Sequence, residues 1–245
     1  MKRFISICIV LAVFPYIAIC QAGITNDTIN KTDANGKKQG YWKKYVHDTL
    51  KYEGIFKDNK PVGKFNYYFG DGKLKATSVY SDSGISCFTI MYHQNGKKEA
   101  EGFYTNTKKD SVWKYYGEND TLISEEHYKA TKRHGVWKNY YKNGPLNEEI
   151  TFVNGYGSGS WKMYFSDGKV KMEGKLDNNR REGIYKYYYP EGNIYTIGMY
   201  KNDYKDGIWI QYDEKGVVVL KETYKDGVLQ KSEDFNSPAN NQPKK

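Results

Sequence analysis

Apolar and polar residues alternate along short stretches of this chain, and glycine interrupts the alternation at regular intervals. One such stretch, residues 134–155, reads HGVWKNYYKNGPLNEEITFVNG. Alternation with a period of two is typical of a β-strand, and Gly144 between two alternating segments indicates a tight turn. The stretch is therefore predicted to form a β-hairpin.

The same unit recurs along most of the chain. When each copy is indexed on the position of Trp137, successive index residues are 23 residues apart once and 24 apart six times. The index residues are Trp42, Phe65, Thr89, Trp113, Trp137, Trp161, Tyr185 and Trp209. Recurrence at a fixed period is the signature of a repeat protein. The pattern predicts an all-β fold built as a tandem array of about eight β-hairpin repeats with a period of 24.

Glycine and tyrosine residues also recur at fixed distances from the index residue. A glycine stands two residues before the index in six copies, and Cys87 and Ser111 take its place in the other two. A second glycine follows the index by seven residues in six copies, where a tight turn requires a left-handed backbone. A tyrosine follows the index by three residues in every copy: Tyr45, Tyr68, Tyr92, Tyr116, Tyr140, Tyr164, Tyr188 and Tyr212.

The even period returns each position to the same face of the sheet. One face carries the index residues and the aromatic residue of each second strand, and we expect these to pair directly, as in Trp137 with Phe152 and Trp209 with Tyr224. This aromatic row is predicted to be the core.

The opposite face, which we name the Lys/Tyr/Glu face, carries the repeat tyrosines, lysines one residue after the index, and glutamates of the second strands. The lysines are Lys43, Lys114, Lys138, Lys162 and Lys186. The glutamates are Glu101, Glu125, Glu149 and Glu173.

The third unit departs from the pattern, because Thr89 leaves a gap in the aromatic row and Phe88 falls on the Lys/Tyr/Glu face beside Ile90 and Tyr92. Such a departure marks either a packing defect or a site where a partner docks. An apolar patch on a polar surface is a plausible contact point. The candidate binding residues are Phe88, Ile90, Tyr92, Tyr116, Lys138, Tyr140, Lys162, Tyr164, Lys186 and Tyr188.

The pattern G-x-W-x-x-Y-Y-x-x-G-x, present as GVWKNYYKNGP, GSWKMYFSDGK and GIYKYYYPEGN, resembles the bacterial variant of the MORN repeat. That repeat type is found in proteins labelled YwqK-family antitoxins. The resemblance extends from Lys38 to Leu229. It implies one elongated, twisted antiparallel meander sheet, and a non-enzymatic scaffold that binds proteins or membranes.

The two ends of the chain differ from the repeats. Residues 1–20 combine two basic residues with an apolar run and are predicted to be a signal peptide cleaved after Cys20, with a cut after Ala22 as the near alternative. Cys20 also ends a sequence similar to a lipobox, although Ile19 is bulky for that motif. We expect a flexible polar leader at 21–37, a repeat domain at 38–231 and a disordered tail at 232–245.

Composition adds little that would indicate a ligand. The formal net charge is +9, and removal of Lys2 and Arg3 with the signal peptide leaves +7, a moderate bias without a polybasic tract. Nucleic acid is therefore not an expected partner. Only Cys87 remains in the processed chain, so no internal disulfide is expected.

No pattern in the sequence indicates catalysis, and no metal or other cofactor is expected. The four histidines have no metal-ligand spacing, and the run from Gly155 to Ser160 fits neither a phosphate-binding loop nor a nucleophile elbow.

The sequence favours an exported, non-enzymatic repeat scaffold that is periplasmic, surface-displayed or secreted. Its expected partner is a protein or an acidic surface polymer. Membrane-surface association of the lysine and tyrosine rows with anionic lipid is an alternative. A carbohydrate-active enzyme is a further one, because glutamates such as Glu148 and Glu149 are adjacent in the sequence.

Overall fold

The computed structural model describes residues 29–236, and within this range the chain is all β. The strands are β1 (Lys31–Thr32), β2 (Lys38–Val46), β3 (Thr49–Lys57), β4 (Lys60–Tyr68), β5 (Leu74–Tyr80), β6 (Ser86–Tyr92), β7 (Lys98–Thr105), β8 (Lys108–Tyr116), β9 (Leu122–Lys129), β10 (Lys132–Arg133), β11 (Gly135–Tyr140), β12 (Leu146–Val153), β13 (Tyr156–Tyr164), β14 (Val170–Asp177), β15 (Arg180–Arg181), β16 (Gly183–Tyr188), β17 (Ile194–Lys201), β18 (Tyr204–Tyr212), β19 (Val218–Lys225) and β20 (Val228–Asp234). In this part of the chain no helix has the length and apolarity needed to cross a membrane.

Each strand pairs antiparallel with the next one along the chain, so the sheet is a meander. The short strands β10 and β11 both pair with β9, and β15 and β16 both pair with β14, so each of these two pairs acts as one interrupted strand. Eight hairpins result, and β1 and β20 extend the sheet at its two ends. The predicted all-β array of hairpins in one antiparallel meander sheet is confirmed.

The predicted turn glycines adopt the left-handed backbone. In the fifth hairpin Gly144 has φ +105°, its amide donates to the carbonyl of Tyr141 at 2.9 Å, and the Tyr141 amide donates to the carbonyl of Pro145 at 2.8 Å. This is a three-residue hairpin loop in which a left-handed residue follows a tight turn. Asp120, which replaces the glycine in one copy, takes φ +66°.

The expected pairing of index residue with second-strand aromatic is wrong in register, although both lie on one face. Trp137 pairs with Ile150, whereas Phe152 pairs with Gly135. The reason is that the turn is centred on Asn143, earlier than assumed, and a bulge at Tyr140 adds only one residue to the register. The rings of Trp137 and Phe152 are therefore diagonal neighbours, with centroids 5.1 Å apart.

The index ring packs mainly on the preceding hairpin. In four units it lies against a glycine of the preceding strand, an arrangement that we name the ring-on-glycine contact. The four contacts are Gly54 with Phe65, Gly102 with Trp113, Gly174 with Tyr185, and Gly198 with Trp209. These four rings are buried, with 0 to 4% of their surface exposed. The predicted aromatic core thus holds, but it is formed between repeats.

A bulge next to the index residue makes room for the ring. The register between β3 and β4 jumps by two residues where Gly63 adopts φ +64°, and the equivalent Ser111 adopts φ +59°. The bulge explains the glycine two residues before the index, because a left-handed backbone strains other residues. The indole of Trp113 donates to the carbonyl of Phe103 at 2.9 Å, beside the interruption in the ladder.

The third unit lacks this bulge. Strands β5 and β6 pair without a register shift, Cys87 occupies the glycine position, and the Ser78 hydroxyl lies 2.7 Å from that of Thr89. Both Ser78 and Thr89 are buried. Three coordinated replacements thus turn one ring-on-glycine contact into a hydrogen-bonded pair of small side chains.

The ends of the repeat region differ from the predicted boundaries. Lys31 and Thr32, within the segment expected to be a flexible leader, pair with Gln39 and Lys38. The last strand continues to Asp234, three residues into the segment expected to be a tail. The predicted signal peptide, the leader up to residue 28 and the tail from residue 237 lie outside the described residues.

Replacing Gly102 by alanine tests the ring-on-glycine contact. The new Cβ would lie 2.4 Å from the Trp113 ring, so we expect a loss of about 1 to 3 kcal/mol in the free energy of unfolding, the usual cost of overpacking. Chemical denaturation followed by tryptophan fluorescence measures it. Gly70→Ala is the matched control, because nothing lies within 4 Å of its added Cβ and its φ is not positive. Equal stability of the two variants would contradict the contact.

Candidate functional site: the two faces of the sheet

The Lys/Tyr/Glu face is organised around carboxylates that accept hydrogen bonds from the next repeat. The Tyr188 hydroxyl donates to Oε1 of Glu173 at 2.7 Å, and Nζ of Lys186 lies 3.2 Å from the same oxygen. The same tyrosine to glutamate bond occurs as Tyr68 to Glu53 at 2.6 Å, Tyr116 to Glu101 at 2.6 Å, and Tyr164 to Glu149 at 2.7 Å. We name this series the Tyr–Glu ladder. It joins each hairpin to the one before it.

The ladder is interrupted where the glutamate position holds another residue. Thr77 takes that position on the strand before that of Tyr92, and Ile197 takes it on the strand before that of Tyr212. The sequence pattern did not indicate Glu53 as part of the series, although the one-residue deletion in the first unit places it in phase. The repeat tyrosines proposed as binding residues are therefore mostly engaged with glutamates inside the sheet.

The lysines of this face differ in their surroundings. Lys43, Lys114 and Lys186 form ion pairs at 3.6, 3.2 and 3.2 Å with glutamates of neighbouring strands. Within residues 29–236, Lys138 and Lys162 form no ion pair, although both lie in register with Glu149. These two adjacent lysines are half-buried and remain able to contact an acidic group.

The ladder shifts the pKa values of both partners. The hydrogen bond from Tyr188 lowers the pKa of Glu173, and the Lys186 ammonium lowers it further against the opposing effect of burial. Burial, together with the Glu173 carboxylate, raises the pKa of Tyr188 to about 12. At neutral pH the glutamate is charged and the tyrosine protonated, which is the combination that the hydrogen bond requires.

Phe88 lies on the Lys/Tyr/Glu face, and its cross-strand neighbours there are also apolar. It pairs with Val79 and Phe103, and the Phe88 and Phe103 ring centroids are 5.0 Å apart. Val79 is 53% exposed and Phe103 is 47% exposed. Ile90, two residues further along β6, pairs with Glu101 and Thr77. Sequence reasoning missed Val79 and Phe103, which strand parity alone would have placed there.

The aromatic face carries a row of basic side chains that the sequence reasoning also missed. The Nζ of Lys205 lies 4.6 Å from the centroids of both Trp209 and Tyr224, and the guanidinium of Arg181 lies 3.9 Å from that of Tyr200. Lys38, Lys109 and Arg133 occupy the equivalent position in their units. In the sequence, this row could have been recognised from the basic residue that stands four positions before the index residue in these units. These cations cover the rings and stabilise the array through cation–π contact.

Pockets open on the aromatic face, and two of them matter here. The larger, about 590 Å³, lies over Thr89, where the index ring is replaced. The second, about 300 Å³, lies between Tyr187, Tyr200 and Trp209 near the end of the array. The gap that Thr89 was expected to leave in the aromatic row is thus present as a pocket.

Several glutamates of the described sheet are held by neighbouring hydrogen-bond donors. Over the described residues, histidine, cysteine and carboxylate side chains form no cluster of three that could hold an ion. The ladder glutamates Glu53, Glu101, Glu149 and Glu173 accept hydrogen bonds from tyrosines, and Glu148 accepts one from the Trp161 indole at 2.7 Å. Their chemistry is that of fixed structural acceptors.

Comparison with known families supports the repeat assignment. A family model described as "MORN repeat variant" matches residues 109–130, 133–154, 158–178, 181–202 and 205–226. These segments are the fourth to eighth units, and most begin at the basic residue four positions before the index. The resemblance to MORN repeats is confirmed for these five units. The likeness to YwqK-family proteins stays a prediction.

Other comparisons are distant. No curated protein matches the chain. Among solved structures, one titled "Crystal Structure of TarM" aligns with 13% identity and a TM-score of 0.28 over 38% of this chain and 20% of that chain. A porin-like protein from Bacteroides uniformis ATCC 8492 aligns with 11% identity and a TM-score of 0.21 over 78% of this chain and 90% of that chain. The aligned part of this chain thus spans a fifth of the TarM chain.

Tyr188→Phe tests the Tyr–Glu ladder. Loss of the hydroxyl should raise the pKa of Glu173 toward its ordinary value and lower the free energy of unfolding by about 1 kcal/mol. Carboxyl ¹³C titration by NMR gives the pKa, and urea denaturation gives the stability. Tyr212→Phe is the control, because Ile197 stands at its glutamate position. An unchanged titration of Glu173 would refute the bond.

The pKa shifts also set the sign of the pH dependence of this pair. Because the pKa of Glu173 is lowered in the folded state, its stabilisation is lost as pH falls through that folded pKa. Because the pKa of Tyr188 is raised to about 12, its stabilisation is present below the unfolded value and is lost as pH rises through the folded one.

Proposed function

We propose that this chain is an exported, non-enzymatic repeat scaffold that binds a protein or an acidic surface polymer along its Lys/Tyr/Glu face. The contact residues proposed from the sequence remain Phe88, Ile90, Tyr92, Tyr116, Lys138, Tyr140, Lys162, Tyr164, Lys186 and Tyr188. The MORN-type units are repeats of a non-catalytic kind, which supports the non-enzymatic part.

One observation carries the proposal: the polar side chains of this face stand in repeat phase, and their acidic groups are held by neighbouring tyrosines and lysines. In a repeat array, a catalytic site needs polar side chains that depart from the repeat pattern and lie close together, with shifted pKa values. An extended surface with regular rows instead suits recognition of an extended partner. Carbohydrate hydrolysis is accordingly disfavoured.

Within the face, Lys138 and Lys162 are the residues best placed to contact an acidic partner. Neither forms an ion pair within residues 29–236, whereas Lys43, Lys114 and Lys186 do. Since paired lysines would have to give up a glutamate on binding, the two unpaired ones offer charge at lower cost. The apolar group of Val79, Phe88 and Phe103, in which Val79 and Phe103 are exposed, adds a non-polar anchor on the same face.

Reversal of these two charges tests the proposed face. The chain from Gln21 is used for affinity capture from the cells that make it, and the partner is purified and titrated directly. Lys138→Glu/Lys162→Glu should raise Kd about tenfold, equivalent to about 1.4 kcal/mol. Lys142→Glu/Lys215→Glu is the control, because it makes the same charge change in exposed turns.

An unchanged Kd for Lys138→Glu/Lys162→Glu would remove the Lys/Tyr/Glu face from the proposal. Hydrolysis of any member of a polysaccharide panel by the same protein, in the absence of a captured partner, would overturn the scaffold function itself. Binding only to anionic vesicles would favour the membrane alternative, which the glutamates of this face oppose by repulsion.

Export is proposed from residues 1–20 and is tested separately. We expect mass spectrometry of the protein recovered from outside the cytoplasm to give Gln21 as the first residue, or Gly23 for the cut after Ala22. Cys20→Ala should leave the amount released unchanged if the signal peptide is simply cleaved. Loss of membrane retention in Cys20→Ala, with a lipid-modified mass in the wild type, would instead establish a lipoprotein.

A further inference from the structure

The larger pocket on the aromatic face, which we name the Thr89 pocket, has a floor of small buried side chains where other units carry a ring. Ala76, Ser78, Cys87 and Thr89 form the floor, and each is 3 to 8% exposed. They lie on the adjacent strands β5 and β6, which pair without the bulge. The floor of the pocket therefore consists of small side chains on a continuously hydrogen-bonded pair of strands.

The walls are tyrosines that pack outward on the neighbouring repeats. Tyr80 packs edge-on against Phe65 with centroids 5.3 Å apart, and Tyr104 packs edge-on against Trp113 at 4.8 Å. Tyr80 and Tyr104 flank Cys87 directly, since both pair with it. Tyr52 and Tyr67 complete the wall on the side of the first units. The flanking ring-on-glycine contacts thus hold the walls in place.

The pocket contains hydroxyl groups that are neutral at ordinary pH. The Tyr67 and Tyr80 hydroxyls lie 2.9 Å apart, and burial raises the pKa of both. Aromatic walls with a small number of fixed polar groups are typical of sites for small molecules, and a volume of about 590 Å³ falls within their usual range.

The charged side chains that line the pocket are both basic. Lys51 and Lys75 line it, and in the part of the chain that the structure describes neither forms an ion pair. Both occupy the bulge position next to a hairpin turn, which directs them toward the aromatic face. No aspartate or glutamate is among the described residues that line the pocket. Tyr68 donates to Glu53, which holds that carboxylate in the ladder.

We propose that the Thr89 pocket binds a planar aromatic ring that carries an anionic group. The ring takes the place that index rings fill in the other repeats, between Tyr80 and Tyr104, and the anion faces Lys51 and Lys75. The ring gains edge-to-face contacts of the kind that Phe65 and Trp113 already make. The pocket lies on the opposite face from the lysine row, so the site does not depend on the scaffold function.

Two sources can present this chemistry: a free aromatic acid, or a tryptophan at the carboxyl end of a peptide. Indole-3-propionate probes the first, and Gly-Gly-Trp with a free carboxylate probes the second. Tryptamine and Gly-Gly-Trp amide present the same ring without the anion. We expect each acid to bind at least tenfold more tightly than its counterpart without the carboxylate, measured by calorimetry with the full chain. The tighter of the two acids identifies the source.

Variants locate the binding. Lys51→Glu/Lys75→Glu should weaken indole-3-propionate at least tenfold without lowering Tm, since both side chains reach the surface. Lys171→Glu is the control for the change at Lys75. Lys171 follows its turn at the same repeat position as Lys75 and lies 5.9 Å from the Phe165 ring, as Lys75 lies 5.7 Å from that of Phe69. Its Kd should remain within twofold of the wild type.

A second readout is specific to the floor of the pocket. Bound indole-3-propionate should slow the alkylation of Cys87, followed by peptide mass spectrometry, whereas tryptamine at the same concentration should not. Failure of both acids to bind at millimolar concentration would overturn the proposal. So would binding that is unaffected by Lys51→Glu/Lys75→Glu and gives no protection of Cys87.

Discussion

The fold depends on one contact between successive repeats, in which an aromatic ring lies flat on a strand that has no side chain at that point. A single antiparallel sheet has no second layer against which to bury its rings. In four units the array solves this by placing the index ring over the preceding hairpin, against Gly54, Gly102, Gly174 or Gly198. Burial of Phe65, Trp113, Tyr185 and Trp209 is thereby achieved within one layer. Every hairpin is then stabilised by its neighbour, which is the energetic property of a repeat array.

On the Lys/Tyr/Glu face, successive repeats are joined by hydrogen bonds. Each bond of the Tyr–Glu ladder joins a tyrosine of one unit to a glutamate of the unit before it, as in Tyr188 with Glu173. Four of the eight repeat tyrosines thus join successive repeats. Within residues 29–236, Lys138 and Lys162 have no ion pair on that face, and Val79, Phe88 and Phe103 form an apolar group there.

The third unit shows how the same constraint produces a site. Strands β5 and β6 pair without the bulge at Cys87, Ser78 replaces the glycine, and the small Thr89 side chain replaces the index ring, so the space above these residues stays open. The neighbouring units keep their rings, so the tyrosines around the third unit stay packed against those rings. Only small side chains lie between these tyrosines. A pocket with rigid walls follows from a local change in an otherwise regular array.

The sequence by itself determined the period, the hairpins, the turn glycines and the face on which each side chain lies, because strand parity is a local property and an even period preserves it. It also determined that Lys138 and Glu149 share a face and that Thr89 interrupts the aromatic row. Only the tertiary structure decided which residues touch. The register depends on where each turn closes and on bulges that add residues to one strand, and a shift of two residues changes every neighbour without changing any face. For that reason Trp137 pairs with Ile150 rather than Phe152, Tyr188 reaches the glutamate of the preceding hairpin, and the pocket of Tyr80 and Tyr104 could not be found from the pattern alone.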